Sequence, residues 1–178
     1  MSVASKYPTF VIPVPRDAPK AGQSGGEDKR AYEFYFMEWG FHGSPVDPQS
    51  TTDIFQKPRT SNNPQTSTVL FTPLQEYKLR NSFATPYLVL TQYTDLARSH
   101  GVVLLRGEIT PSTNGATTEG DGRYMLNQQD AQLLAMGIQK FFLWQDEQGT
   151  GPTLLKTFHE NPSVFEWEAL LTHADFSA

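Results

Sequence analysis

Glu166 and Glu168 stand two residues apart in the segment Val164–Thr172, where Phe165, Trp167, Ala169 and Leu171 alternate with Glu166, Glu168 and Leu170. On a strand, positions i and i+2 share a face at roughly 6.5–7 Å. That spacing is compatible with an acid and a base or nucleophile flanking a glycosidic bond. A half-exposed strand produces the same alternation without any chemistry, and this is the simpler account. His173 and Asp175 share the i, i+2 relation, and His159 precedes them, whereas His42 and His100 stand apart. No two of these histidines have the i, i+4 helical spacing that makes a zinc site readable. Glu119 and Asp121 occupy a Gly-bearing loop without the twelve-residue ligand pattern of a calcium loop. Trp39, Phe41 and Tyr93 have rings suited to stacking on sugar, but an aromatic-rich β core uses the same residue types.

Other chemistries are less supported. A Gly-x-Ser-x-Gly nucleophile turn is absent, and Gln23–Ser24–Gly25 lies in a linker-like run. Neither a phosphate-cradling Gly-x-x-x-x-Gly-Lys-Ser/Thr run nor a dinucleotide Gly-x-Gly-x-x-Gly run occurs. The chain has no cysteine, which excludes a thiolate nucleophile, Cys-ligated zinc and disulfides. These observations assign no catalytic, cofactor-binding or metal-ligating residue, and no cofactor is expected. The net charge of −5 disfavours nucleic-acid backbones and anionic lipid, both of which call for clustered Lys and Arg. No apolar run approaches the roughly 20 residues that span a bilayer, and Met1–Phe10 lacks the pattern of a secretory signal.

The elements that would position these residues are mostly strands. Residues 1–30 read as an extended N-terminal arm, since Pro8, Pro13, Pro15 and Pro19 bar an inner sheet position and Gly22–Gly26 is flexible in composition. Phe10, Val11, Ile12 and Val14 are the apolar residues with which such an arm would grip a neighbouring subunit. Residues 31–178 read as one β-rich domain. Ala31–Phe41 alternates as a strand, and residues 43–66 form a long Pro-punctuated loop. Ser67–Leu74, Tyr87–Tyr93 and Gly101–Ile109 are β-like, with Val102–Leu105 predicted as a central strand buried on both sides. A Thr/Gly/Asn loop spans Pro111–Arg123. A helix follows near 127–138, capped by Asn127 with Asp130 three residues on. Lys140–Gln145, Leu154–Phe158 and Val164–Thr172 are then predicted as late strands.

The expected fold class is mainly β with one flanking α-helix, a β-sandwich or partly open β-barrel with an extended arm and long loops. From Ser67 to Ala178, the order of “SHGVVLLRGEI”, a Gly-rich loop, “NQQDAQLLAMGIQ”, “KFFLWQDE” and “FEWEALL” resembles tail-tube-type and baseplate subunits of bacteriophage tails. The resemblance implies a self-assembling structural subunit of a virion, formed in the host cytoplasm and contacting copies of itself and neighbouring structural proteins. It implies neither direct nucleic-acid binding nor membrane insertion. The alternatives are a carbohydrate- or protein-binding β-sandwich module and an enzyme with a scattered active site.

Overall fold

The computed structural model describes residues 2–16, 31–44, 63–112, 124–143 and 149–175. Five strands form one antiparallel sheet in chain order: β1 (Thr9–Arg16), β2 (Ala31–Phe41), β3 (Ser67–Pro73), β4 (Leu88–Tyr93) and β5 (Leu104–Ile109). The sheet is open, with β1 at one edge and β5 at the other. The helices are α1 (Ser2–Lys6), α2 (Leu74–Arg80), α3 (Ala97–His100), α4 (Gln128–Ile138), α5 (Thr150–Glu160) and α6 (Trp167–Ala174). Short 3₁₀ turns lie at Asn81–Phe83 and Pro162–Val164, and a π-helical turn at Gln139–Leu143 continues α4.

The register explains the core. Directly opposed residues of antiparallel strands share a face, and one rung runs Phe10, Met37, Phe71, Leu88 and Ile109 across all five strands. The next runs Trp39, Val69, Leu90 and Gly107. Phe10, Met37, Phe71, Leu88 and Val69 are fully buried because α4, α5, α6 and the π turn lie over this face. The opposite face carries less cover, chiefly α2, whose Tyr77 ring stacks on Phe36 at 4.1 Å.

Five expectations change here. The segment 1–30 contributes β1, whose Phe10, Ile12 and Val14 are buried in the chain's own core, and Val11 is nearly so. Pro13 and Pro15 are tolerated because β1 is an edge strand, where a missing N–H leaves no inner ladder broken. Val102–Leu105 is not central: β5 is the other edge, and Leu104 and Leu105 remain about half exposed. Leu154–Phe158 lies inside α5, where Leu154, Leu155 and Phe158 follow the helical i, i+1, i+4 pattern. Val164–Thr172 gives a 3₁₀ turn and then α6, which buries Leu170 and Ala174, four residues apart. Lys140–Gln145 begins within the π turn, and residues 144–145 lie outside the described residues. Most of the expected loop at 43–66, and residues 113–123 of the Thr/Gly/Asn loop, also lie outside them.

Helix α4 starts where the sequence places it. The Asn127 side chain accepts from the Asp130 N–H at 2.7 Å, and its amide donates back to the Asp130 carboxylate at 2.9 Å. Asp130 also receives a hydrogen bond and ion pair from Arg16, which reaches Glu33 as well and donates to the Tyr35 hydroxyl at 3.2 Å. Burial opposes the Arg16 cation, but hydrogen bonds to Asp130 and Glu33 more than offset this and hold it charged. Burial, reinforced by Glu33, keeps the Tyr35 hydroxyl protonated. One cation thereby joins β1, β2 and the start of α4.

Gly137 lets α4 approach β1, since a Cβ there would stand 2.9 Å from Ile12 Cγ2. Helix propensity alone makes Gly137→Ala stabilising by up to about 1 kcal/mol. Overpacking against the fully buried Ile12 reverses the sign, with a net loss of about 1–3 kcal/mol. Chemical denaturation checks this, and a stabilised variant would show that α4 does not press on Ile12.

Candidate functional site

Strand β5 is the least covered element of the sheet. Every residue from Gly101 to Glu108 is exposed, including Val102 (44%), Val103 (52%), Leu104 (48%) and Leu105 (41%). Four consecutive apolar side chains left half in water are an unusual feature for a lone domain, because such runs mark interaction sites or aggregation hazards. Gly101, in the left-handed region at φ 67°, ends α3 and turns the chain into this run.

The hydrogen-bond parity of β5 is fixed by its end. Thr110 N–H donates to Tyr87 O at 3.0 Å while Leu88 opposes Ile109. Amides alternate along a strand, so those of Arg106 and Glu108 point to β4, and those of Leu105, Gly107 and Ile109 point outward. Among the described residues no strand pairs with this outer edge. Past it, Pro111 bridges Tyr124 and Met125 N–H donates to Thr110 O at 2.9 Å, so the open stretch is Leu104–Ile109. Leu105 and Ile109 lie on the helix-covered face with Leu88 and Leu90. Leu104, Arg106 and Glu108 lie on the other, where Arg106 donates to Glu108 at 2.8 Å.

The two edges differ. Strand β1 carries Pro13 and Pro15 and packs beneath α4 and α6, both common ways of blunting an edge. Strand β5 has no proline, no described helix shields Leu104–Glu108, which are all exposed, and its two charges are paired with each other.

The other candidate residues do not converge. Phe10, Val11, Ile12 and Val14 sit in β1, within the core rather than on a surface. Glu166 precedes α6 and Glu168 lies in its first turn, both exposed, so the strand spacing that suggested paired carboxylates does not apply. Trp39 is buried against Phe142, and Phe41 stacks beside it. His42 Nε2 meets the Thr68 hydroxyl at 2.8 Å, and His100 Nδ1 meets Ser99 at 2.8 Å. Thr9 contacts His159 Nε2 at 3.2 Å, and His159 Nδ1 donates to Leu155 O at 2.9 Å. No group of three His, Asp or Glu able to hold a metal occurs among the described residues. A groove of about 480 Å³ beside α5 is lined by Thr153, Thr157 and Glu166, but both hydroxyls are bonded to backbone carbonyls. No helix among the described residues is long and apolar enough to cross a membrane.

The model of the family described as ATP11 protein matches residues 1–171. Protein atp11, mitochondrial, of Schizosaccharomyces pombe (strain 972 / ATCC 24843) is 28% identical over 178 residues. The match covers 98% of this chain and 47% of that relative, so the chain spans about half the length of the curated relative it matches. These matches overturn the resemblance to bacteriophage tail-tube and baseplate subunits. The virion location, and partnership with copies of itself and neighbouring virion proteins, fall with it, and the carbohydrate- or protein-binding module and scattered-site enzyme do not match either. The resemblance rested on element order, which unrelated folds share.

His173 supplies a pH test of the packing that holds α6. Its buried Nε2 has no hydrogen-bond partner among the described residues, a Cβ on Gly151 would stand 3.1 Å from it, and its ring meets Phe141 edge-on at 5.1 Å. Burial, then the nearby Lys140 cation, push its pKa below the usual 6.5. The unfolded chain therefore takes up the proton first as pH falls. The stability tied to neutral His173 is complete above about pH 6.5 and is lost as pH drops from there towards the lower folded value. Stability of wild type should fall more steeply between neutral and mildly acid pH than that of His173→Gln, as denaturant midpoints across pH would show. Parallel curves would place the histidine in water.

Proposed function

Because the chain belongs to the ATP11 protein family, we propose that it is a mitochondrial assembly chaperone for ATP synthase, holding unassembled F1 subunits until their proper neighbours replace it. It works by binding and not by catalysis. The observation that carries this reading is the half-exposed apolar run Val102–Leu105 leading into an unguarded sheet edge. A subunit awaiting assembly exposes the apolar surface that its neighbour will later cover, and a holding protein needs apolar surface of its own to shield it.

The magnitude suits holding followed by release. Each of the four side chains is already about half buried, so covering the remainder is worth about 1 kcal/mol apiece, from about 1.5–3 kcal/mol for full burial. Their sum of about 4 kcal/mol must still offset the loss of translational and rotational freedom. Such a contact excludes water and yields to a native neighbour with a larger interface.

Diluting denatured F1 subunits into buffer and following light scattering tests the proposal. Wild-type protein should suppress scattering in proportion to its concentration. The double variant Leu104→Thr/Leu105→Thr keeps strand propensity and removes apolar surface, and should lose most of the suppression. Its own stability should change by no more than about 1 kcal/mol, since both positions are exposed. Undiminished suppression by the variant would move the binding surface elsewhere.

A further inference from the structure

The geometry points to strand addition as the way β5 holds its client: an extended client segment pairs antiparallel with the outer edge of Leu104–Ile109. The client places apolar residues opposite Leu105 and Ile109, a carboxylate opposite Arg106 and a cation opposite Glu108. This rests on the reading of β5 as the client-facing surface and adds how the client is recognised.

The backbone selects the kind of occupant. Leu105, Gly107 and Ile109 each turn an N–H and a C=O away from β4. Donors and acceptors repeating at every second residue along a straight edge are matched by another extended backbone, and a helix or a flat side-chain surface leaves them unpaired. Every pairing already in the sheet is antiparallel.

The side chains select the sequence. With Leu105, Gly107 and Ile109 in hydrogen-bonded pairs, Arg106 and Glu108 fall in the non-hydrogen-bonded pairs, where opposed side chains come closest. Arg106 already bonds Glu108 at 2.8 Å within the strand. A client carboxylate and cation across from them extend this pair into an alternating set of four charges. Sliding the client by two residues opposes like charges, so the pair also fixes register. On the other face Gly107 offers no side chain, and a Cβ there would crowd Leu90 Cδ2 at 3.1 Å. The client residue opposite Gly107 therefore meets no side chain of β5 itself, and a ring there lies against Leu90, which already fills the space above the glycine. Read along the client, the pattern is apolar, basic, aromatic, acidic, apolar: a strand with one apolar face, of the kind buried in a finished assembly.

The test uses two labelled peptides, Thr-Val-Lys-Phe-Glu-Val-Thr and its charge-exchanged form Thr-Val-Glu-Phe-Lys-Val-Thr, titrated with the full chain by fluorescence anisotropy. Wild type should prefer the first by about tenfold, from two matched against two mismatched cross-strand pairs. Arg106→Glu/Glu108→Arg should invert that preference. Leu105→Pro removes an outward N–H and leaves the β4 ladder intact, so it should abolish binding of both peptides with little change in melting temperature. Equal affinity for the two peptides, or unimpaired binding by a folded Leu105→Pro variant, would overturn strand addition. Leu105–Ile109 itself reads apolar, basic, small, acidic, apolar. Sedimentation showing a dimer that binds neither peptide would therefore also overturn it, by making a second copy the occupant. If the peptides fail while wild type still suppresses scattering and Leu104→Thr/Leu105→Thr does not, only the mode of binding falls. Failure of wild type to suppress scattering removes the chaperone reading itself.

Discussion

Phe10 is the side chain on which the two layers of the molecule meet. Its ring lies 4.9 Å from Phe141, 5.2 Å from Phe158 and 6.3 Å from Phe165, edge-on to the last two. These partners come from the π turn, α5 and the segment leading into α6, so one residue of the first strand organises the whole C-terminal layer. Aromatic pairs at such distances and angles add to the burial of the rings themselves. Phe10 stands on an edge strand, and on this face burial persists through Leu88 and Leu90 of β4 and ends at β5.

Two smaller devices lock the same edge. Arg16 ties the end of β1 to Glu33 of β2 and to Asp130 in the first turn of α4. At the other end of the strand, Tyr7 donates to Glu160 at 2.8 Å and packs at a tilt against His159 at 5.1 Å, joining the N-terminal segment to the end of α5. Glu160, with Tyr7 donating to it and Lys156 and Lys6 nearby, is held below the usual carboxylate range. The charges and rings gathered around β1 have no counterpart over β5, whose Arg106 and Glu108 bond only each other among the contacts described.

The sequence made the middle of the sheet legible. Strands β2, β3 and β4 show local alternation, and Asn127 with Asp130 announces the start of α4, because those signals are carried by neighbouring residues and survive any tertiary context. Apolar content alone misplaces burial at both edges of the sheet. Phe10, Val11, Ile12 and Val14 between prolines suit an arm on a neighbour as well as an edge strand on their own core, and only the pairing with β2 separates the two. Val102–Leu105 reads as buried on both sides, yet Arg106 and Glu108 follow on one face, and that alternation was the available sign of a strand open to water. Leading into α6, a helix of eight residues, Phe165, Trp167 and Ala169 happen to alternate before the 3.6-residue period can show. No short motif marked the proposed binding surface, since an edge with no described neighbour is a property of sheet order and not of residue type.

An edge strand is ordinarily a hazard, and most sheets of this size blunt both of theirs. Here one edge carries prolines and lies under helices, and the other keeps a straight apolar stretch with its outward amides free of any described strand. A uniform need for solubility would have acted on both edges alike. The asymmetry is what a holding protein requires: a rigid half that fixes the sheet, and an open half whose unpaired backbone has the same need as the client it shields. On the proposed reading, a narrow strip gives moderate affinity, and release needs only a native neighbour that buries more of the same surface. On the proposed reading, the prolines and the aromatic layer at β1 serve the same end as the bare strand at β5, since they close one edge and leave the other to the client.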